Sequence, residues 1–499
     1  MHCSWLLVSS SNDINPGETV GHNRRFRVAA IEVSIVRSQL STTASAVIIC
    51  SILTATMAGQ VAAGGGGEPK PEQYFSIQAP FNTGDFVLPG RDLSPSRLRA
   101  RDASWRAEIR RQLFIPERLP ALDAHVWSTF SPMDGVLADR VTYSTADGMR
   151  VPAIVYRPDP KFFSWNGKLP GIVIVNGHGG DKFSWYAFYS GMLFARAGAV
   201  AVTYDPLGEG ERNSTRSSRT FPSEHDKIVD LPHWGQRLGG LMQVDVMQAV
   251  SYLQSLPQVD PARIGTVGYS MGAFITGITG AIDLRIHAVL LSGGGIYDAP
   301  HEYFDRNKLP CQSPPYLAIS VLGDRGAILY ALNAERGPMF IMNGDADTVM
   351  KMADHPPNWF AAIRERAEIL TGSERNMFTT ILYPGISHRT SWVNLDGMLW
   401  LNRQLHFALW DESTIRTVGT THVSTWIRAK HVDISPNYIQ EDREGGLDAI
   451  GTGFPDIARQ DLMVLPDAEW QKEKDQMIYD AWASRTRAKE ERAASTLSR

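Results

Sequence analysis

A serine sits between glycines in the string Gly268-Tyr269-Ser270-Met271-Gly272, directly after the run RIGTVGY (263–269) and directly before the helical stretch AFITGITGAI. A strand that turns sharply into a helix forces its central residue into a strained backbone, and flanking glycines keep side chains out of the crowded turn. The serine hydroxyl is thereby pushed into the open. Near neutral pH a hydroxyl is a poor nucleophile, so it needs an adjacent base to take its proton during attack. Of thirteen histidines, His388 in ILYPGISHRT combines a loop after a strand (MFTTILY) with the chain order serine, aspartate, histidine. The imidazolium formed in attack needs an anion behind it, which also fixes the tautomer. Asp347, in PMFIMNGDADTV, follows another strand and precedes the histidine; Asp345 is the alternative.

Acyl transfer also develops an oxyanion, which preorganised N–H groups stabilise. Met271 supplies one such donor, and the loop Asn176-Gly-His-Gly-Gly180 is placed to supply a second from Gly180, with Gly179 as the alternative. His178 in that loop has no partner ligand at metal spacing, so it reads as a brace for the loop, and no metal is expected. Trp185, Tyr186 and Trp392, with Trp234 and Trp359, fall near the expected mouth. They would offer a stacking surface for a sugar or an aromatic acyl group, or pack in the core as large rings commonly do.

Positioning these groups requires strands that end near one another. VTYSTADGMRVPAIVYRP (141–158) reads as two strands around an Asp-Gly turn, and LPGIVIVNG (169–177) as a strand buried on both faces. Strands follow at 199–205, 263–269, 288–294, 338–344 and 377–383, with helices near 186–197 and 239–255 and between the later strands. This alternation predicts an α/β fold with a mostly parallel sheet, helices on both faces, and active residues at the carboxyl ends of the strands. Helical extensions are expected on both sides of it. Residues 95–118 read as a surface helix whose arginines form its wet face. Residues 467–494 read as a charged helix with Trp470, Met477, Ile478 and Trp482 packed on the body.

Length allows one large domain with extensions or two to three modules. The expected division is a leader over 1–63, a linker and helical extension over 64–130, a catalytic domain over 131–410, and a C-terminal extension over 411–499. Within the leader, residues 44–63 are apolar or small, follow arginines at 24, 25, 27 and 37, and end in Val61-x-Ala63. That pattern predicts a secretory signal peptide and a secreted or periplasmic protein, without a stable membrane span; a disordered leader on a cytoplasmic protein is the alternative. A net charge of −4 with 20% charged residues leaves no basic field for nucleic acid. With Cys3 and Cys50 in the leader, Cys311 stands alone, so neither an internal disulfide nor a thiolate cluster for a structural metal is expected.

The strings NGHGGDK, YDPLGEGER (204–212) and LPQVDPARIGTVGYSMG resemble the α/β-hydrolase superfamily over residues 130–410, and within it the dienelactone hydrolase or acetyl xylan esterase-like branch. The resemblance implies the α/β-hydrolase fold and a serine esterase with no cofactor, acting on a small-molecule or polysaccharide ester. It departs from the branch at Ala273, where a glycine is usual, and in the stretches 208–235 and 296–335. A prolyl oligopeptidase-like peptidase is the rival enzyme, disfavoured because too little chain precedes residue 130 for a β-propeller. A non-catalytic binding protein that keeps the fold is the rival of another class.

Overall fold

The computed structural model describes residues 89–217, 223–227, 233–297, 311–354, 359–372, 378–388, 391–422 and 447–497. The leader, with Cys3 and Cys50, lies outside the described residues. Nine strands form one sheet: β1 (His125–Met133), β2 (Val136–Ser144), β3 (Arg150–Pro158), β4 (Leu169–Val175), β5 (Val200–Tyr204), β6 (Val259–Tyr269), β7 (Ala288–Ser292), β8 (Met339–Gly344) and β9 (Thr379–Tyr383), in the order β1-β2-β3-β5-β4-β6-β7-β8-β9. Strands β5 through β9 pair in parallel, whereas β1, β2 and β3 join them through antiparallel pairings. The fold is that of an α/β-hydrolase, with a mixed sheet.

Side-chain alternation along the central strands feeds two cores. In β4, Val173 and Val175 enter one core while Ile172 and Ile174 enter the other; in β7, Val289 and Leu291 part from Ala288 and Leu290 in the same way. Successive Cβ atoms point to opposite faces of a sheet, so a continuous apolar run is what a strand covered on both sides needs. Helices α1 (Pro95–Gln112), α3 (Trp234–Ser255), α4 (Met271–Ile282), α5 (Arg325–Arg336) and α6 (Trp359–Thr371) contribute to one core, and α2 (Trp185–Ala197) and α7 (Leu395–Leu405) to the other.

Four local features differ from the sequence reading, each for a physical reason. Strand β1 begins the sheet before the predicted hairpin; its side chains are mostly exposed, so no alternating pattern marks it. Helix α3 starts at Trp234 rather than near 239, carrying Gly239 and Gly240 in its interior. Glycine is disfavoured inside a helix, yet here a Cβ at Gly240 would meet the Leu113 carbonyl oxygen at 1.7 Å and one at Gly239 would meet Pro315 at 2.5 Å. They exist for close packing. On α1, Arg106 is buried rather than wet: it donates to the carbonyls of Ala281 and Leu332 and pairs with Glu335. Cations there satisfy carbonyls that helix ends leave unpaired. The C-terminal helix is broken, running as Asp467–Glu473 and α8 (Tyr479–Leu497) around a 3-10 turn. Its stripe packs as expected, with Trp470, Met477, Ile478 and Trp482 buried and the Trp482 indole N–H donating to Asp147.

Gly240→Ala tests the packing account by its sign. In an ordinary helix interior the change stabilises by about 1 kcal/mol; against the Leu113 carbonyl it should cost about 2 kcal/mol or more. Urea unfolding of the variant should show a lowered midpoint, and an unchanged or raised one would sink the account.

Candidate active site

Strand β6 ends at Tyr269 and α4 begins at Met271, leaving Ser270 alone in the turn with φ 54° and ψ −114°. A non-glycine residue at positive φ is strained and persists only where surroundings hold it. Here the Ser270 N–H donates to the Ser292 carbonyl at 2.9 Å. The flanking glycines are sterically compelled: a Cβ at Gly268 would lie 2.3 Å from the Gly272 carbonyl oxygen, and one at Gly272 2.2 Å from that of Val175.

His388 Nε2 lies 2.9 Å from Ser270 Oγ, and His388 Nδ1 lies 2.7 Å from Asp347 Oδ2. With the Nδ1 proton given to Asp347, the Nε2 lone pair faces the serine hydroxyl, so the tautomer is the one a general base needs. Asp347 and His388 are buried while Ser270 is partly exposed. The other carboxylate oxygen, Asp347 Oδ1, accepts the Met350 N–H at 2.8 Å. Asp345 is engaged elsewhere, accepting the Gly385 N–H at 2.7 Å from an exposed position. Tyr269, unnoticed in the sequence, donates its hydroxyl to the His388 carbonyl at 2.9 Å and so ties the histidine loop to the nucleophile strand.

The loop after β4 lies against this group at Gly177, where a Cβ would be 3.3 Å from Ser270 Cβ and 2.8 Å from the Tyr269 ring. Met271 offers the first N–H of α4, a position for which a helix supplies no internal acceptor. Gly180 is placed differently from expectation: its N–H donates to the Gly177 carbonyl at 2.9 Å, closing the turn instead of facing Ser270. Of the two readings of the aromatics, core packing holds for Trp392 and Tyr186, which are therefore not substrate-stacking residues. Trp392 is buried with its indole N–H donated to Ser190, and Tyr186 is buried with its hydroxyl accepting the Gly177 N–H at 3.0 Å. Both are packing residues, and Tyr186 shapes the loop. Trp185 is half-buried, its ring edge-on to Tyr186 and Tyr189. Trp234 is buried in the core, and Trp359 is half-buried against Phe360.

The same loop ends in a buried ionic cluster that YDPLGEGER foreshadowed without revealing its purpose. Lys182 Nζ pairs with Asp205 and, at 3.0 Å, with Glu211, all three fully buried. Asp205 also accepts the N–H groups of Lys182 and Glu211. Burial raises the Asp205 carboxyl above its ordinary value despite Lys182. Burial acts likewise on Glu211, but Lys182 and the Arg216 guanidinium outweigh it and leave that carboxyl below its ordinary value. Glu211 further accepts the Val464 and Leu465 N–H groups, binding the C-terminal segment to the loop support.

His178 shares its Nε2 with Asp226 Oδ1 at 3.0 Å. The expectation that it lacks ligand-type neighbours fails in space: His225, Asp226 and Cys311 gather around it.

With strand order, nucleophile turn and relay in place, the chain has the α/β-hydrolase fold, and two family models match parts of it. The family described as Acetyl xylan esterase (AXE1) matches residues 121–292, and the Prolyl oligopeptidase family matches residues 233–411. Among curated relatives, the hydrolase YtaP of Bacillus subtilis (strain 168) is 26% identical over 199 residues, covering 36% of this chain and 62% of its own. The uncharacterized peptidase YuxL of the same organism is 25% identical over 266 residues, covering 51% of this chain and 36% of its own. The match therefore spans less than two thirds of either relative. Among solved structures, Methylesterase BT1017 shares the fold with a TM-score of 0.52 and 19% identity, over 80% of this chain and 77% of its own. Among the described residues no helix is long and apolar enough to cross a membrane.

The two aspartates make opposite predictions for a serine-directed fluorophosphonate probe. Asp347→Asn should slow labelling of Ser270 by about three to four orders of magnitude, as loss of the orienting anion does in serine hydrolases. Asp345→Asn should stay within a few-fold of wild type. The reverse ranking, read by fluorescence of the labelled band over time, would reassign the acid.

Proposed function

We propose that this protein is a serine-dependent carboxylic ester hydrolase acting through an acyl-enzyme. The observation that carries the reading is the unbroken relay from Asp347 through His388 to Ser270. In the first half-reaction Ser270 Oγ attacks the ester carbonyl carbon while His388 Nε2 takes its proton. The tetrahedral oxyanion is held by the Met271 N–H and by the N–H of His178 or Gly179, which follow Gly177 in the loop; the Gly177 N–H itself is given to the Tyr186 hydroxyl. Collapse breaks the bond to the alcohol oxygen, which leaves with the proton from His388. Water then attacks the acyl-enzyme with His388 again as base, releasing the acid and restoring the serine. Asp347 holds the ring through Nδ1 and stabilises the imidazolium. No step calls for a cofactor.

Match to the acetyl xylan esterase family over 121–292, which includes the oxyanion loop and the nucleophile turn, supports an acetylated carbohydrate or small natural ester as substrate. Match to the prolyl oligopeptidase family over 233–411 favours a second reading, a peptidase that uses the same relay on an amide. We read the chain as a leader over 1–63, an arm to about 130, a catalytic domain to about 410 and a C-terminal extension. Residues 44–63 would direct export; N-terminal sequencing of secreted protein should begin after Ala63, and a cytosolic product retaining residues 1–60 would exclude export.

Purified protein should hydrolyse p-nitrophenyl acetate and release acetate from acetylated xylan, with Ser270→Ala lowering kcat by at least about ten-thousandfold and leaving the fold intact. Faster turnover of proline-containing peptides than of acetyl esters would favour the peptidase. Near-normal ester hydrolysis by Ser270→Ala would remove that serine from the mechanism, and a wild-type chain inert to all substrates and to the probe would favour a binding protein.

A further inference from the structure

His178 in the oxyanion loop, His225 and Asp226 in the short turn Glu224–Asp226, and Cys311 are far apart in sequence, yet one donor atom from each lies within 4.8 Å of the other three. A tetrahedral zinc-class site has donor-to-donor edges of about 3.3–3.7 Å, given metal–ligand bonds of about 2.0–2.3 Å. Closing the present cluster onto an ion therefore needs shifts of about 1 Å or less per ligand, within side-chain reach. From this gathering we propose that His178, His225, Asp226 and Cys311 bind one divalent transition-metal ion of the zinc class, independently of the ester reading.

A second observation points to a cation. His225 is fully buried, and its Nδ1 donates to the Leu207 carbonyl at 2.8 Å. That bond assigns the proton to Nδ1 and leaves Nε2 as a bare lone pair. Nε2 has no hydrogen-bond partner, and it faces another acceptor, Asp226 Oδ1, at 3.8 Å. A fully buried ring nitrogen with no donor or cation beside it is unfavourable, and a metal ion at that lone pair would satisfy it. The backbone carbonyl behind Nδ1 is the kind of outer partner that metal-binding histidines use to hold their ring. The paired His178 and Asp226 would brace the loop without a metal, but that pairing leaves His225 Nε2 and the Cys311 sulfur unexplained.

The donor chemistry selects the ion. A thiolate and a carboxylate together cancel a charge of two, and the imidazoles remain neutral. Sulfur and nitrogen donors exclude magnesium and calcium, which take oxygen ligands, and favour zinc or cobalt over harder ions. Four protein ligands complete a tetrahedron with no position left for water, so the site is structural. Its consequence is local: His178 directly follows Gly177, the residue packed against Ser270, so the ion would clamp the oxyanion loop to the turn at 224–226 and to the segment beginning at Cys311.

The test uses tag-free full-length protein, stripped with a chelator at neutral pH and titrated with Co²⁺ and with Zn²⁺. One equivalent of Co²⁺ should bind, with a near-ultraviolet thiolate-to-cobalt band. The band should persist in a Cys3→Ser/Cys50→Ser variant and vanish in Cys311→Ser, and one equivalent of Zn²⁺ should raise Tm by several degrees. If Cys311→Ser does not fold, the wild-type stoichiometry and the band in the double variant decide. Folded wild-type protein that binds less than a tenth of an equivalent overturns the site, as does a cobalt band that survives in Cys311→Ser. Probe labelling of Ser270 is read separately, so an inert serine would overturn the ester reading and leave the metal result standing.

Discussion

One strained residue organises the functional face of this molecule. Ser270 occupies a backbone conformation that its side chain disfavours, and it stays there because the carboxyl end of β6 and the start of α4 leave no alternative path. The hydrogen bond from its N–H to Ser292 on β7 anchors the turn, and the contacts of Gly268 and Gly272 show how little space surrounds it. Strain of a few kcal/mol is affordable only where neighbouring structure over-determines the geometry. The double-sided core, fed by alternating residues of β4, β7 and β8, supplies that rigidity.

Around the serine, partners arrive from different strands and are each held by a further contact. Asp347 is pinned by the Met350 N–H, the His388 loop by the Tyr269 hydroxyl, and Gly177 by Tyr186. Such outer contacts keep a catalytic group in position before substrate arrives, and preorganisation of this kind underlies much of enzymatic rate enhancement. The ionic cluster of Lys182, Asp205 and Glu211 belongs to the same logic at the far end of the oxyanion loop. Buried charges of this sort add little net stability, but deleting one partner commonly costs about 3–5 kcal/mol because the others are stranded.

Much of this was legible in the chain because the chemistry is punctuated by strands. Ser270, Asp347 and His388 each follow an apolar run by a few residues, and a parallel sheet turns that spacing into proximity. What could not be read had physical causes of its own. Exposed β1 carries no alternation, and glycines inside a helix, Gly239 and Gly240, have no evident reason until Pro315 is seen against the first and the Leu113 carbonyl against the second. For Tyr186 and Trp392 a stacking surface and core packing both stood open, because an aromatic type does not say which side of a surface it occupies; both rings are buried. Gly180 was assigned a role its turn hydrogen bond does not leave open. Cys311 appeared solitary because only the fold brings it to His178, His225 and Asp226.

The reach of Glu211 to Val464 and Leu465 has a bearing on how the protein is made. Synthesis runs from the N-terminus, so all nine strands of the main sheet and all three members of the relay exist once His388 has emerged, while the donors that complete the cluster at the end of the oxyanion loop are still some seventy-five residues from being translated. A nascent chain would thus hold an assembled sheet with an unfinished loop support, and full competence would come only when the tail leaves the ribosome and docks.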